Sequence, residues 1–418
     1  MMSLSKPSRE RGLETTKHFF RNYVKPYFEG AHKAKEEGKP VAWVFSTFPI
    51  EIAQAFDVYP VWPEQYACLL GALQQSVKYC EVAEGKGFSK DLCSYARGVI
   101  GSLGDPQAPL GGMPKPDFIF AASTACDTHL KWSQVLSRAL KVPYFYLDVP
   151  YNVSGADPKD VEKEYVEAYL AEVDRLIEFL EKHLDTRLDK NKLNKVIETS
   201  IKVNDLWMDI MDLRKSVPCP MGAEDSWSAV FFVLACPGSE LALDFYTRLK
   251  AEVEAKVKDG VGVVPEEKYR VGWDNLPPWF NLRFYDYLKS LGVVVVIEVP
   301  CITWSGRLDP SKPLESLARR ELAIYSNSTM PFRLRMMSRL VEEYKLDGFI
   351  LPTNWGCRFM SVGNVDLRNI LYERHGIPSL ILELDATDWR VYSEEQTKVR
   401  IEGFVEAMAE AKKAKVKK

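Results

Sequence analysis

Pro116-Asp117-Phe118-Ile119-Phe120-Ala121-Ala122-Ser123-Thr124-Ala125-Cys126-Asp127-Thr128-His129 carries the reading of the fold. The apolar run from Phe118 to Ala122 is short, continuous and bounded by polar residues. Such a run reads as a buried strand of a parallel sheet. A polar turn with Cys126 follows, and Leu130 to Leu140 reads as a helix. Ligands of open α/β sheets sit at the carboxyl ends of strands, which is where Cys126 falls.

Two further cysteines have similar settings. Cys93, in Ser89-Lys90-Asp91-Leu92-Cys93-Ser94-Tyr95-Ala96-Arg97-Gly98, stands at or near a helix start. Cys357 follows the apolar run of Gly348-Phe349-Ile350-Leu351, after Pro352-Thr353-Asn354-Trp355-Gly356. Three cysteines on loops, two of them just past buried strands, suggest ligands to one iron–sulfur cluster. Three inert buried thiols is the competing reading, and no CxxC spacing decides between them.

Strand and helix alternate on both sides of the central stretch. In the first half, Pro40 to Phe45, a short extended piece ending at Glu64, and Val142 to Leu147 read as strands. In the second half the strands are Glu267 to Trp273, Gly292 to Val299, Phe349 to Leu351 and Ser379 to Leu384. Gly292 to Val299 is the strongest because β-branched residues dominate it. Residues 66–87, 159–184, 190–213 and 225–259 read as helical. The expected fold is α/β, with two Rossmann-like or flavodoxin-like domains of parallel sheets plus helical N-terminal and linking segments. The expected division is a helical segment over 1–40, a first domain over 41–215 with Cys93 and Cys126, and a second over 216–418 with Cys357. No GxGxxG lies beside a strand and no Walker A lysine loop occurs, so nucleotide chemistry is not expected of this chain.

The chain has 418 residues, more than one core ordinarily holds. Its 55 Lys and Arg against 58 Asp and Glu leave a net charge of -3, which excludes a polyanion-binding signature and with it nucleic acid. Eight cysteines in a chain this long are not a disulfide scaffold. Met-Met-Ser-Leu-Ser-Lys-Pro opens into charged sequence without an apolar signal core, and the longest apolar runs are too short to span a bilayer. A reducing, cytoplasmic setting without membrane contact is the expectation.

Several blocks now support a resemblance. They include Glu37-Gly38-Lys39-Pro40-Val41-Ala42-Trp43, the run from Glu81 to Arg97, Pro116-Asp117-Phe118, Glu266-Glu267-Lys268-Tyr269-Arg270 and Trp355-Gly356-Cys357-Arg358. Across residues 25–410 the chain resembles the larger iron–sulfur (alpha-type) subunit of the 2-hydroxyacyl-CoA dehydratases. That family also holds the ATP-dependent benzoyl-CoA reductases and the double-cubane-cluster proteins. The resemblance implies one [4Fe-4S] cluster per chain, held by Cys93, Cys126 and Cys357. One iron then lacks a cysteine and carries a water or hydroxide, to which Ser46 hydrogen-bonds and near which Glu64 stands. It implies elimination of water from an (R)-2-hydroxyacyl-CoA to an (E)-2-enoyl-CoA through a ketyl radical. The electron comes from a transient ATP-dependent activator protein, and a smaller homologous iron–sulfur subunit completes the enzyme.

Four residues stay open at this point. Cys301 follows a strong strand and reads as a core thiol or a neighbour of the cluster. A fourth thiolate there would close the open iron. The double-cubane proteins have a cysteine-rich segment where Ala323-Ile324-Tyr325-Ser326-Asn327-Ser328 has none, so one cluster is expected. His129 reads either as a helix-start or core histidine or as a group behind cluster or substrate. Arg97 and Arg358 each adjoin a cysteine and read either as surface caps or as contacts to CoA phosphates or cluster charge. Rival activities are reduction of an aromatic acyl-CoA, as in the benzoyl-CoA reductases, and a non-catalytic role in electron transfer. Trp43, Trp62, Trp279 and Trp304 would suit an aromatic acyl pocket.

Overall fold

A computed structural model describes residues 12–416 of the chain. Eight strands form two four-stranded sheets, all parallel. The first holds β1 (Val41–Val44), β2 (Tyr59–Val61), β3 (Phe118–Ala122) and β4 (Tyr144–Leu147) in the order β2-β1-β3-β4. The second holds β5 (Tyr269–Trp273), β6 (Val293–Glu298), β7 (Gly348–Asn354) and β8 (Ser379–Leu384) in the order β6-β5-β7-β8. The α/β class and the parallel sheets follow the sequence expectation. Residues 1–11 of the expected N-terminal helical segment lie outside the described residues; within it Phe20–Val24 and Lys25–Glu36 are helical.

Alternation along β3 sets the layers. Ile119 and Ala121 enter a core shared with the second sheet, whereas Phe118, Phe120 and Ala122 enter a second core on the opposite face. A strand with both faces buried needs no polar residue in its period, which is why the stretch is continuously apolar. The opposite face is covered by the helix Lys163–Leu184, whose Val166, Tyr169, Val173, Leu176 and Leu180 fall at helical spacing into that core. The next helix, Lys190–Leu213, is capped by the Asp189 carboxylate, which accepts from the N–H groups of Asn191 and Lys192 at 2.9 and 3.2 Å.

Two helical expectations need correction. Residues 66–87 form two helices, Pro63–Ala72 and Ser76–Gly85, because the chain turns sharply at Gln74, where φ is +54°. Glu64 therefore lies in the first turn of a helix that starts at Pro63, not at a strand end. Residues 225–259 form three helices, Ala223–Ala229, Phe231–Ala235 and Glu240–Asp259, the last two separated by Cys236-Pro237-Gly238-Ser239.

The order in which strands are added reverses once in each parallel sheet. β1 and β3 flank the reversal in the first sheet, and β5 and β7 flank it in the second. Crevices at such switch points are where α/β sheets bind ligands. The segments leaving the carboxyl ends of these strands carry Ser46, Cys126, Leu276 and Cys357.

Candidate active site

Ser46, Glu64, Cys93, Cys126, His129 and Cys357 line a single cavity between the two sheets. Three helices present the thiols. Cys93 caps Ser94–Ser102, Cys126 caps Asp127–Leu140, and Cys357 caps Arg358–Ser361. Backbone N–H groups of those first turns face the sulfurs: Tyr95 and Ala96 for Cys93, Thr128 and His129 for Cys126, Met360 for Cys357. Helix N-termini favour thiolate.

Burial works the other way. It pushes the Cys126 thiol up to about 11 and the Cys93 thiol up to about 12. Cys357 rises further, from burial first and then from the other two sulfurs beside it. Three buried sulfurs at helix N-cap positions around one cavity fit a cationic metal group that would draw off their protons. None is in a disulfide. Among the described residues no three His, Cys, Asp or Glu side chains converge tightly enough for a single ion. An iron–sulfur cluster distributes its thiolates over separate irons, and three cysteines lining one cavity are that kind of donor set.

Backbone contacts lock the thiol-bearing loops together. A Cβ on Gly356 would stand 2.6 Å from Cys93 Cα and 2.7 Å from its nitrogen, so only glycine lets the Cys357 loop approach Cys93. Trp355 donates to Asp91 at 3.3 Å across the same joint. Beside Ser46, Thr47 has φ +67°, and its hydroxyl accepts from Thr124 at 2.7 Å, tying the β1 end to the Cys126 turn.

Glu64 Oε1 accepts from Ser46 N–H at 2.9 Å and from Ser46 Oγ at 2.8 Å, and His129 Nε2 lies 3.2 Å from it. Glu64 Oε2 and His129 Nδ1 are buried without partners. Burial lowers the His129 pKa, against the pull of Glu64. His129 stands behind Glu64, wedged against Phe45 and Trp132 with ring centroids 5.2 and 6.2 Å away.

The remaining sequence candidates separate. Cys301 is fully buried beside Glu298 and Arg214 and does not line the cavity; it is a core thiol. Arg97 is no surface cap. It is buried, donates to Leu92 O at 2.7 Å, and pairs with Glu84 at 2.5 Å and Asp388 at 3.0 Å. These bonds brace the residue before Cys93 and pair the Arg97 charge with two carboxylates. Arg358 lies at the cavity rim, 74% exposed and paired with Asp127.

Sequence reasoning missed Cys68. It lines the cavity, and its sulfur lies 3.1 Å from Tyr95 OH, which in turn accepts from Trp279 Nε1 at 2.5 Å. Its position four residues after Glu64 puts both on one helix face, a signal available once the helix is started at Pro63. The apolar wall was missed as well: Trp227, Val230 and Leu234 belong to the stretch 225–259, read only as helical.

A family model described as 2-hydroxyglutaryl-CoA dehydratase, D-component, matches residues 45–408. The chain is 29% identical to an (R)-2-hydroxyisocaproyl-CoA dehydratase alpha subunit of Clostridioides difficile, covering 92% of this chain and 94% of that one. It is 26% identical to an (R)-phenyllactyl-CoA dehydratase alpha subunit of Clostridium sporogenes, over 98% of this chain and 100% of the relative. It is also 29% identical to a component chain of the benzoyl-CoA reductase of Thauera aromatica, over 88% and 89% respectively.

Proposed function

The chain belongs to the 2-hydroxyglutaryl-CoA dehydratase D-component family, and on that premise we propose that it is the iron–sulfur subunit of a 2-hydroxyacyl-CoA dehydratase. The reaction is loss of water from an (R)-2-hydroxyacyl-CoA to give an (E)-2-enoyl-CoA, through a ketyl radical after ATP-driven electron injection. The observation that carries the reading is the meeting of three helix-capping cysteines with a serine–glutamate pair in one cavity. Cys93, Cys126 and Cys357 would hold one [4Fe-4S] cluster. When bound, it supplies one-electron chemistry and a Lewis-acidic iron free of a fourth cysteine.

The chain's own side chains divide the remaining work. The Ser46 hydroxyl proton is committed to Glu64 Oε1, so the serine oxygen offers lone pairs to the proton of a substrate hydroxyl. Glu64 keeps Oε2 free and takes up the proton that leaves the acyl chain. His129 fixes Glu64 from behind. Trp62, Trp279 and Trp304 wall the cavity and exclude water from the reacting carbons. Arg358 at the rim suits a CoA phosphate. A smaller homologous iron–sulfur subunit and a transient ATP-dependent activator complete the system; the relatives' designation as alpha subunits supports the first. Among the described residues no helix is long and apolar enough to cross a membrane.

Reduction of an aromatic acyl-CoA is the second reading, favoured by the likeness to the benzoyl-CoA reductase chain and by the tryptophan lining. Anaerobic assay of the complex with activator, ATP and reductant separates the two. Dehydration predicts turnover of 2-hydroxyacyl-CoA without net electron consumption and about four irons per chain. Two electrons consumed per benzoyl-CoA would overturn it, as would an iron count near twice that number. The non-catalytic reading requires Ser46→Ala to leave turnover unchanged.

A further inference from the structure

We infer that the acyl group accepted here is uncharged and bulky, aromatic or branched aliphatic, and that the cavity rejects a dicarboxylic acyl chain. The inference rests on the dehydratase reading and deepens it by naming the substrate class.

The cavity lining divides into a polar set and an apolar set. Ser46, Glu64 and His129 lead the polar set. Five polar atoms buried without partners belong to lining side chains: Glu64 Oε2, His129 Nδ1, Trp62 Nε1, Trp132 Nε1 and Ser326 Oγ. Trp62 and Trp132 lie within three residues of Glu64 and His129 in the chain. These polar atoms are enough to address a thioester carbonyl and a 2-hydroxyl.

The apolar set is drawn from the second half of the chain. Trp227, Val230 and Leu234 come from the helices Ala223–Ala229 and Phe231–Ala235 and the residue joining them, Leu276 and Trp279 from the segment after β5, and Trp304 from the end of the short helix Val299–Thr303 that follows β6. Trp227 and Trp279 meet edge to face with centroids 6.0 Å apart, and the Trp227 N–H is already given to Tyr285 OH at 2.9 Å. None of these six residues is charged.

A distal carboxylate needs a cation or several donors in such a place. Among the described residues the only arginine or lysine lining the cavity is Arg358, and it is turned outward at 74% exposure against Asp127. Glu64 adds repulsion instead. An aromatic or branched group gains from the same wall by leaving water and by stacking edge to face.

The tryptophans of the cavity provide the readout. Fluorescence titration of the anaerobically purified full-length chain measures the Kd of (R)-phenyllactyl-, (R)-2-hydroxyisocaproyl-, lactoyl- and (R)-2-hydroxyglutaryl-CoA, with free CoA as the baseline. Phenyllactyl- or 2-hydroxyisocaproyl-CoA is expected to bind at least about 50-fold more tightly than 2-hydroxyglutaryl-CoA, with lactoyl-CoA between them. Leu234→Arg puts a cation on a partly exposed stretch of the wall and should shift that ratio at least about tenfold toward the dicarboxylic ester. If this variant does not fold, Leu276→Arg poses the same question. Equal or tighter binding of 2-hydroxyglutaryl-CoA by the parent chain overturns the inference, and so does a ratio unmoved by the arginine. If no thioester binds more tightly than free CoA, the dehydratase reading itself fails.

Discussion

Glu64 Oε1 accepts two hydrogen bonds from Ser46 and touches His129, while Oε2 holds none. That asymmetry makes Glu64 the sharpest single-residue test of the site. Glu64→Gln keeps the shape and an oxygen to accept from Ser46, but it cannot take a proton. Turnover should fall by roughly 10²–10⁴-fold, the usual range for a lost acid–base group. Iron content and thermal midpoint should stay at parental values, which a purely structural glutamate would not allow. Asp225 offers a second test, away from chemistry. Burial pushes its carboxyl up to about 6, against the Thr16 hydroxyl that donates to it at 2.5 Å and with the adjacent Glu224 adding to the rise. Between the unfolded value near 4 and this folded one, the native state binds a proton that the unfolded chain lacks. The contribution is therefore full below about pH 4 and lost as pH rises through about 6. Asp225→Asn removes the dependence. Urea midpoints should show the variant more stable by roughly 1 kcal/mol at pH 8, allowing for partial exposure, and level with the parent near pH 4.

Elements meet most closely where Ser76–Gly85 crosses Ser94–Ser102, the helix that presents Cys93. A Cβ on Gly101 would stand 1.9 Å from Tyr79 O, and backbone cannot retreat as a flexible side chain does. Gly101→Ala should destabilise by at least about 2 kcal/mol and lower iron retention, because separating these helices moves Cys93. Gly85→Ala is the control. Nothing lies within 4 Å of its Cβ, so it should stabilise by about 0.5 kcal/mol. Equal unfolding midpoints for the two variants would refute this account of the crossing. What the sequence discloses follows the same division. β3, β6 and β8 are legible because buried parallel strands leave short apolar runs between turn residues. Cys126 and Cys357 are legible because they follow such runs. The break at Gln74 is not, since its +54° φ depends on packing and glutamine carries no turn signal. Glu64 is reached only through resemblance, and Cys68 escapes notice because a misplaced helix start conceals their shared face. Cys301 has the right local setting and the wrong destination. Only the tertiary fold decides that it enters the core beside Arg214 and Glu298.

At the scale of the whole molecule the cavity is the seam between the two sheets. Cys93 and Cys126 belong to the first sheet's half and Cys357 to the second. The direct polar contacts around them also cross that seam: Arg97 to Asp388 at 3.0 Å, Thr387 to Ser94 at 2.8 Å, and Arg358 to Asp127. One apolar core runs across the seam and packs both sheets, so neither half needs the proposed cluster to form. The loops that carry the sulfurs are different. Without a cation among those sulfurs, the loops are tied to one another by a few hydrogen bonds and the Gly356 contact. A ligand bound only by the native arrangement stabilises whatever must be in place to bind it. Anaerobic removal of iron by a chelator should therefore act locally. Amide exchange should speed up in residues 89–97, 124–129 and 352–358 while β1, β3, β5 and β7 keep their protection. Restoring iron and sulfide should reverse the change in the parent chain and fail in Cys357→Ser. Exchange that rises evenly through both sheets would mean the group is part of the core, and exchange that does not rise at all would mean the three cysteines share nothing.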